Sequence, residues 1–272
     1  MSDVARHKTE RQRIIVVGYL VRGPLGGLAW HYLQYVVGLH RLGHDVYFVE
    51  DSEDYPACYD PQQNAMVMDP AYGMAFAKEA FDRLGLPDCW GYFDAHRGTW
   101  LGPLAGRIEQ VIREAELLIN VSGVTPIRHG LEYVPRRALI DTDPAFTQLR
   151  NIQDPRKREE SLTHTHHFSF GENVGCRDCL VPDDGMRWLP TRQPIVTDLW
   201  PVAPPAVDGA FSTVMQWESY AAADYNGVRF GMKSDSFAPY MHLPEATGYR
   251  FDLAVGSPTA PLDQLRKAGW NV

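Results

Sequence analysis

The feature that most constrains the fold is a strand–loop–helix–strand pattern near the start of the chain. Residues 14–18 form an apolar, β-branched run that ends in glycine, and a helical pattern follows and ends at Gly43. The apolar positions of that helix are Leu28, Tyr32, Tyr35, Val36, Leu39 and Leu42. A second apolar run over residues 46–49 leads into two acids, Glu50 and Asp51. Two parallel strands joined in this way bring the intervening loop to the carboxyl edge of a sheet, where such folds bind ligands.

Later segments continue the alternation of strands and helices. Residues 74–84 and 104–114 have helical patterns, and residues 117–123 form an apolar run ending in small polar residues. Residues 137–143 repeat this pattern, with an apolar strand followed by acids. Residues 54–72 are rich in Tyr, Pro and Asp and are expected to form a long loop at the ligand edge. The alternation predicts an α/β fold with a Rossmann-like, doubly wound parallel sheet.

The change in composition along the chain predicts two domains. We expect residues 1–12 to be a flexible N-terminus, residues 13–200 to form the first domain and residues 201–210 to be a proline-rich linker. Residues 211–272 restart the strand and helix pattern as a second Rossmann-like domain. A parallel sheet of two strands and the start of a third is too small to bury a hydrophobic core on both of its faces. We therefore expect the second domain to be incomplete.

Charge and composition exclude several classes of function. The formal net charge of −8 argues against nucleic acid as a partner, because nucleic-acid binding calls for a basic face. No apolar run approaches the roughly 20 residues that cross a bilayer, so no transmembrane segment is expected. Four cysteines in 272 residues are too few for a disulfide scaffold. These features predict a cytoplasmic protein with reduced thiols.

Two motifs carry a resemblance to a known family. Gly26 and Gly27 open the first helix, and residues 39–46 read Leu-His-Arg-Leu-Gly-His-Asp-Val. The pair and the Leu-x-x-x-Gly-His-x-Val ending resemble the N-terminal domain of GT-B glycosyltransferases. Residues 188–194 and 227–233 are similar to those of a group of bacterial glycosyltransferases, and residues 211–272 look like the start of the donor-binding domain.

The resemblance implies an enzyme, a hexosyltransferase-like GT-B glycosyltransferase. It would move a sugar from a nucleotide-sugar donor, which is a co-substrate, to a small-molecule, glycan or lipid acceptor. The family generally works without a metal, and no other cofactor is implied. GT-B enzymes hold the sugar nucleotide with an acidic residue and a glycine-rich turn deep in the second domain. This sequence ends before that region, so the donor site is expected to be incomplete.

The loop from Arg22 to Gly27 is the first candidate binding site. Glycines allow a ligand close to the backbone, and a helix N-terminus favours anions. The loop is not a P-loop, because Pro24 follows Gly23 where lysine would be required. A tight strand-to-helix connection without a ligand is the structural alternative. His31, one turn into the helix, is a candidate general base or acceptor contact, or else an ordinary helix histidine.

Polar residues elsewhere supply further candidates. Asp141 and Asp143 follow a predicted strand and could act as bases or orient hydroxyls, although Asp143 before Pro144 could simply begin a turn. In the second domain, Lys233 and Arg229 are candidate contacts for the donor diphosphate, or solvated surface residues.

A histidine cluster and a cysteine pair are weaker candidates. Strand alternation would put His164 and His166 on one face, beside His167, with His166 as a substrate contact in the cleft between domains. No acid or cysteine of ligand spacing adjoins these histidines, so no metal site is predicted. Cys176 and Cys179 lie in a Gly/Asp/Pro loop and are interpreted as free thiols or a loop staple.

Two other functions remain open at this stage. An NAD(P)-dependent Rossmann oxidoreductase is one, because Glu50 lies about 20 residues past the glycines, where such folds place a ribose-binding acid. The spacing of Gly18, Gly23, Gly26 and Gly27 does not fit Gly-x-Gly-x-x-Gly, which argues against it. The other is a truncated, non-catalytic domain that binds a carbohydrate or a partner.

Overall fold

An eight-stranded sheet forms the centre of the first of two units in the computed structural model, which describes residues 10–204 and 206–272. The first unit ends at Leu199 and the second begins at Trp200. Residues 1–9 of the expected flexible N-terminus, and residue 205 of the predicted linker, lie outside the described residues. In the part of the chain that is described, no helix has both the length and the apolar character needed to cross a membrane.

The first unit contains ten strands and five α-helices in its described residues. Its strands are β1 (Arg13–Val17), β2 (Asp45–Asp51), β3 (Cys58–Asp60), β4 (Ala65–Val67), β5 (Trp90–Asp94), β6 (Thr99–Leu101), β7 (Leu117–Val121), β8 (Arg136–Asp141), β9 (His166–Ser169) and β10 (Trp188–Pro190). Its helices are α1 (Gly26–Arg41), α2 (Ala71–Arg83), α3 (Ile108–Arg113), α4 (Phe146–Gln153) and α5 (Pro155–Leu162).

The large sheet has the strand order β10-β9-β8-β7-β1-β2-β5-β6. Its strand pairs are parallel, apart from the antiparallel pair of β5 and β6. Alternate side chains of β1 enter two apolar clusters, with Val16 in the cluster that contains Tyr32 of α1 and Ile15 in the cluster that contains Ile112 of α3. Because alternate strand residues point to opposite faces, helices cover both faces of the sheet. The predicted Rossmann-like, doubly wound α/β fold is confirmed.

The sequence pattern missed several short strands. Within the expected loop of residues 54–72, β3 and β4 form a hairpin. The aromatic run at residues 90–93 forms most of β5, a buried strand beside β2, and β9 and β10 extend the other side of the sheet. These strands are short or lack clear alternation, so a period of two could not reveal them.

A buried carboxylate fixes the loop between β1 and α1. The Glu50 side chain, fully buried near the end of β2, accepts hydrogen bonds from the backbone N–H groups of Leu20, Val21 and Arg22 at 2.6, 2.7 and 2.8 Å. Glycine is required where this loop leaves β1, because a Cβ at Gly18 would lie 2.2 Å from the Tyr32 ring. The loop is therefore held by one side chain and by close packing on α1.

The second unit contains a three-stranded parallel sheet. Its elements are β11 (Phe211–Gln216), β12 (Ala223–Tyr225), β13 (Val228–Phe230), α6 (Lys233–Phe237), α7 (Leu243–Thr247), β14 (Phe251–Gly256), α8 (Leu262–Lys267) and β15 (Trp270–Asn271). The sheet order is β11-β14-β15, and β12 and β13 form a hairpin. The buried side chains include Trp217, Phe237 and Trp270. The helix expected at residues 234–243 is interrupted, because α6 ends before Pro239, which has no N–H to donate.

Replacing Glu50 by glutamine should destabilise the first unit by roughly 1–3 kcal/mol. The amide has one acceptor oxygen where the carboxylate has two, and it sets an NH₂ group against a backbone N–H. Urea unfolding of Glu50→Gln and of the matched exposed variant Glu159→Gln measures the difference. Equal stability of both variants would show that the loop keeps its shape without the carboxylate.

The variant Gly18→Ala should cost about 1–3 kcal/mol, because the new methyl group displaces the buried Tyr32 ring. At Gly106 a Cβ meets no described atom within 4 Å, so Gly106→Ala is the control and should stay within about 0.5 kcal/mol of wild type. Thermal unfolding followed by circular dichroism distinguishes the two. A Gly18→Ala protein as stable as the control would contradict the packing described here.

Candidate functional site

A cavity of about 600 Å³ lies in the first unit at the carboxyl edge of the large sheet. From β1 the chain goes to β2 on one side, while β7 and β8 lie on the other, so the strand order reverses at β1 and β7. Ligands of open α/β sheets bind outside the carboxyl ends of strands at such a switch point. The lining includes Tyr19, Arg22, Asn120, Ser122, Asp141 and His164. Both its volume and its position suit a small-molecule site.

A short hydrogen-bonded chain joins α1 to the edge of this cavity. The Nε2 atom of His31 lies 3.1 Å from the Ser122 hydroxyl, which lies 2.7 Å from the Thr142 hydroxyl. Ser122 has a φ of 67°, in the left-handed region that is rare for residues other than glycine. Such strained residues concentrate at functional sites. His31 thus reaches the cavity through Ser122, a residue that the sequence analysis did not single out.

The His31 imidazole is a neutral hydrogen-bonding group. Burial lowers the pKa of His31, and an interaction with the Gln193 side chain opposes that change. A neutral imidazole next to a hydroxyl can accept a proton from a bound compound. The role of His31 as a base stays a prediction, and the contact with Ser122 is the geometry that it would use.

Arg22 is held rigidly where it lines the cavity. Its guanidinium lies over the rings of Tyr19 and Tyr55, 5.3 and 4.6 Å from their centroids. Its backbone N–H is bound to Glu50, and its buried Nε atom has no hydrogen-bond partner among the described residues. Arg22 can therefore donate to an acceptor atom of a ligand.

Gly26 and Gly27 begin α1, and the structure shows no internal need for glycine at either position. Both are exposed, and a Cβ built at either one meets no described atom within 4 Å. The N-cap residue Leu25 makes no side-chain hydrogen bond, so the first helical N–H groups receive no side-chain cap from it. This helix end is open to an anion, whereas the earlier amides of the loop are bound to Glu50.

The two aspartates at the end of β8, Asp141 in its last position and Asp143 just after it, are occupied by bonds within the protein. The buried Asp141 carboxylate accepts hydrogen bonds from the Asp143 N–H, the Thr147 and Ser169 hydroxyls and the Gln148 amide. Asp143 forms an ion pair with Arg150 at 2.6 Å. Asp141 therefore anchors α4 against β8 and β9, and neither carboxylate is free to act as the predicted base.

The predicted strand face with two histidines is wrong, because β9 begins at His166 and His164 precedes it. His166 is exposed at the amino end of β9, is bonded to the Thr165 hydroxyl and does not line the cavity. His167 packs against Trp188 with ring centroids 5.3 Å apart. His164 is buried, lines the cavity and is bonded to Asn120.

Asn120 is a buried cavity residue that the sequence analysis overlooked. It lies in β7, with 1% of its surface exposed, and its Nδ2 group donates to the Thr125 carbonyl at 3.0 Å and to His164 Nε2 at 3.1 Å. A polar amide inside the apolar run Leu-Leu-Ile-Asn-Val was the available signal. Such a residue needs a hydrogen-bonded environment, which is found here at the sheet edge.

The predicted donor contacts lie in the second unit. Lys233 begins α6 and lines a surface depression of about 700 Å³ that also includes Gln216 and Gly256, at the carboxyl ends of β11 and β14. Arg266 of α8 is a second cation there. Arg229 lies in β13, where it is 3.7 Å from the Asp235 carboxylate, and it does not line the depression.

Other predicted groups lie apart from the cavity. Cys176 and Cys179 are free thiols in a turn, with the Cys179 N–H bonded to the Cys176 carbonyl. Within the described residues, no group of three or more His, Cys, Asp or Glu side chains is placed to hold a metal ion.

Glu50 is not placed to hold a ribose. Burial raises the pKa of Glu50 to about 7, and its bonds to the loop amides oppose that rise. Because the side chain is buried and both carboxylate oxygens accept backbone hydrogen bonds, its environment argues against the oxidoreductase interpretation of this residue.

Comparisons with known proteins do not establish a family or a function for this chain. No protein-family model matches the chain, and no curated protein matches it. Among solved structures it is similar to the glycosyltransferase SnogD from Streptomyces nogalater, with a TM-score of 0.33 and 16% sequence identity over 95% of this chain and 74% of that one. At this level of similarity, the function has to be argued from the site itself.

Proposed function

We propose that the protein is a glycosyltransferase of the GT-B type that transfers a sugar from a nucleotide-sugar donor to a hydroxyl group of a small acceptor. The observation that carries this proposal is the switch-point cavity, where the neutral His31 imidazole contacts a cavity hydroxyl, Ser122. The Gly26–Gly27 and Leu-x-x-x-Gly-His-x-Val motifs, which resemble those of GT-B enzymes, support it.

In the proposed reaction, the acceptor lies in the cavity of the first unit. Its hydroxyl oxygen attacks the anomeric carbon of the donor sugar, and the bond from that carbon to the nucleoside diphosphate breaks. His31 takes the hydroxyl proton through Ser122, and the diphosphate leaves with the bonding electron pair. Arg22 and the open N-terminus of α1 offer positive groups for anionic or polar atoms of the substrates.

Lys233 is the proposed contact for the donor diphosphate in the second unit. It is an exposed cation at the carboxyl edge of a parallel sheet, as is usual for anion-binding groups in such folds. Arg229 is the weaker candidate, because Asp224 and Asp235 already lie within 4.0 Å of its guanidinium.

A thermal-shift screen tests the donor class. UDP, GDP and dTDP sugars should raise the melting temperature, and NAD(P) should not. Mass spectrometry of the same mixtures with hydroxylated acceptors should then detect a product heavier by one sugar. Stabilisation by NAD(P) alone, or binding of sugars without transfer, would overturn the proposal in favour of an oxidoreductase or a non-catalytic binding protein.

His31→Gln should lower kcat by roughly 10²–10⁴-fold while the fold is retained, because the amide cannot accept the proton. Burial lowers the pKa of His31, so wild-type activity should persist below pH 6.5, where an ordinary histidine becomes charged. The control is His40→Gln, an exposed histidine on the same helix. Unchanged kinetics of His31→Gln would remove this residue from the mechanism.

Gly27→Ala separates a ligand role of the glycine pair from a structural one. The variant should gain about 0.5–1 kcal/mol of stability, because alanine favours a helix and meets no neighbouring atom here. If substrate approaches this helix end, binding of the stabilising nucleotide sugar should weaken by roughly tenfold. Calorimetric unfolding and titration give the two values. Higher stability with unchanged nucleotide-sugar affinity would exclude the glycine pair from the substrate site.

A further inference from the structure

The Asn120 side chain carries an unused hydrogen-bond acceptor at the cavity. Its Oδ1 atom is buried and has no hydrogen-bond partner among the residues that the structure describes. A buried polar atom without a partner costs free energy, and native proteins rarely keep one without a reason. Asn120 also lines the 600 Å³ cavity. The missing partner is therefore expected from a molecule that occupies the cavity.

Neighbouring groups fix which way the amide faces. The carbonyl of Thr125 can only accept, so the atom of Asn120 facing it must be the NH₂ group. His164 Nδ1 lies 3.1 Å from the Ser161 carbonyl and donates to it, which leaves Nε2 as an acceptor for the same NH₂ group. Burial lowers the pKa of His164 to about 4, so this arrangement holds at neutral pH. Oδ1 is left as the acceptor without a partner.

The rest of the cavity indicates the character of its ligand. Val124, Ile127 and Leu139 supply an apolar part of the lining. Two of the three lining cations are paired, Arg150 with Asp143 and Lys157 with Glu160, each at 2.6 Å. The third, Arg22, interacts with the carboxylate of Glu53, which also lines the cavity. Balanced charges and an apolar part of the lining favour an uncharged molecule with a ring or a similar apolar body. To pair with the buried acceptor of Asn120, the molecule must also carry a hydrogen-bond donor.

We propose that Asn120 Oδ1 binds a hydroxyl group of an uncharged, ring-containing alcohol or phenol in this cavity. The contact makes Asn120 a positioning residue, two places before Ser122 in the chain. The binding of this alcohol does not depend on the proposed function. Its role as the acceptor of sugar transfer does rest on the proposed function. A site with a buried acceptor discriminates against a ligand that lacks the matching donor, because the acceptor stays unpaired.

Matched ligand pairs test this contact without any sugar donor. Naphthol and hydroxycoumarin are titrated calorimetrically into the protein, each beside its methyl ether, which keeps the ring and oxygen but loses the O–H donor. Wild type should bind the hydroxyl compound tenfold or more tightly than its ether, the equivalent of one hydrogen bond. Equal affinities, or no binding of any of the four compounds, would overturn the proposal.

Variants locate the preference at Asn120. Asn120→Leu keeps the side-chain size but has no acceptor, so its hydroxyl preference should fall to within about twofold. Asn120→Asp, measured at pH 5 so that the buried carboxyl group is protonated, can donate its O–H to the Thr125 carbonyl and keep its other oxygen as an acceptor. It should retain the preference, which guards against loss of folding in the leucine variant. Thr163→Val removes another cavity hydroxyl, and its preference should match that of wild type. If a folded Asn120→Leu variant kept the hydroxyl preference, the hydroxyl group would have to bind elsewhere. Loss of the preference in both Asn120→Asp and Thr163→Val would lead to the same conclusion.

The same titrations keep this proposal separate from the proposed function. Hydroxyl preference without sugar transfer would leave the Asn120 contact standing and overturn glycosyl transfer. Sugar transfer without a hydroxyl preference would support glycosyl transfer and overturn the Asn120 contact.

Discussion

The Glu50 carboxylate binds three successive backbone N–H groups of the loop that leaves β1. These residues belong to neither β1 nor α1, so their N–H groups need partners if they are buried. One side chain from β2 supplies all three, at the cost of placing a carboxylate away from water. The loop is thereby fixed relative to the sheet, and both Arg22 and the beginning of α1 are fixed with it.

This arrangement decides which part of the loop is free for a ligand. In many nucleotide-binding folds the first loop presents its backbone amides to phosphate. Here the amides of residues 20–22 already bind an internal anion, so the uncapped helix N-terminus at Gly26 and Gly27 is the part of this segment open to an external anion. The cavity is lined by Arg22, by residues at the end of β7 and by His164, and the glycine pair is not part of its lining.

The sequence predicted the elements whose burial leaves a clear pattern, and it did not predict contacts between distant segments. β1, α1 and β2 were recognisable, because a strand buried on both faces and an amphipathic helix each have a characteristic spacing. Glu50 was recognised as a strand-end acid, yet its role depends on a loop about 30 residues earlier. Periodicity says nothing about which loop a strand end will meet.

The cavity residues show even more clearly that sequence patterns do not predict contacts between distant segments. Asn120 and His164 are 44 positions apart and meet because β9 pairs with β8, which pairs with β7. The strand β9 is four residues long and gave no usable signal, so the histidine cluster was assigned to the wrong geometry. His31 was identified as a candidate from its place in α1, but its contact with Ser122 spans 91 positions. Single candidate residues can therefore be recognised in the sequence, but the residues that they contact are set by the strand order and cannot.

Polar residues at the carboxyl edge fall into two groups by how completely the protein satisfies them. The carboxylates of Glu50 and Asp141 are saturated by internal donors, and their burial stabilises the loops they hold. The Arg22 Nε and Asn120 Oδ1 atoms are buried but lack partners among the described residues. A ligand gains most from groups that have already lost their water and found no replacement, because binding then adds a hydrogen bond at little further desolvation cost. Acidic residues are readily interpreted as catalysts in a sequence, yet at this edge the acids hold the structure, whereas an amide oxygen and a guanidinium nitrogen have no hydrogen-bond partner among the described residues.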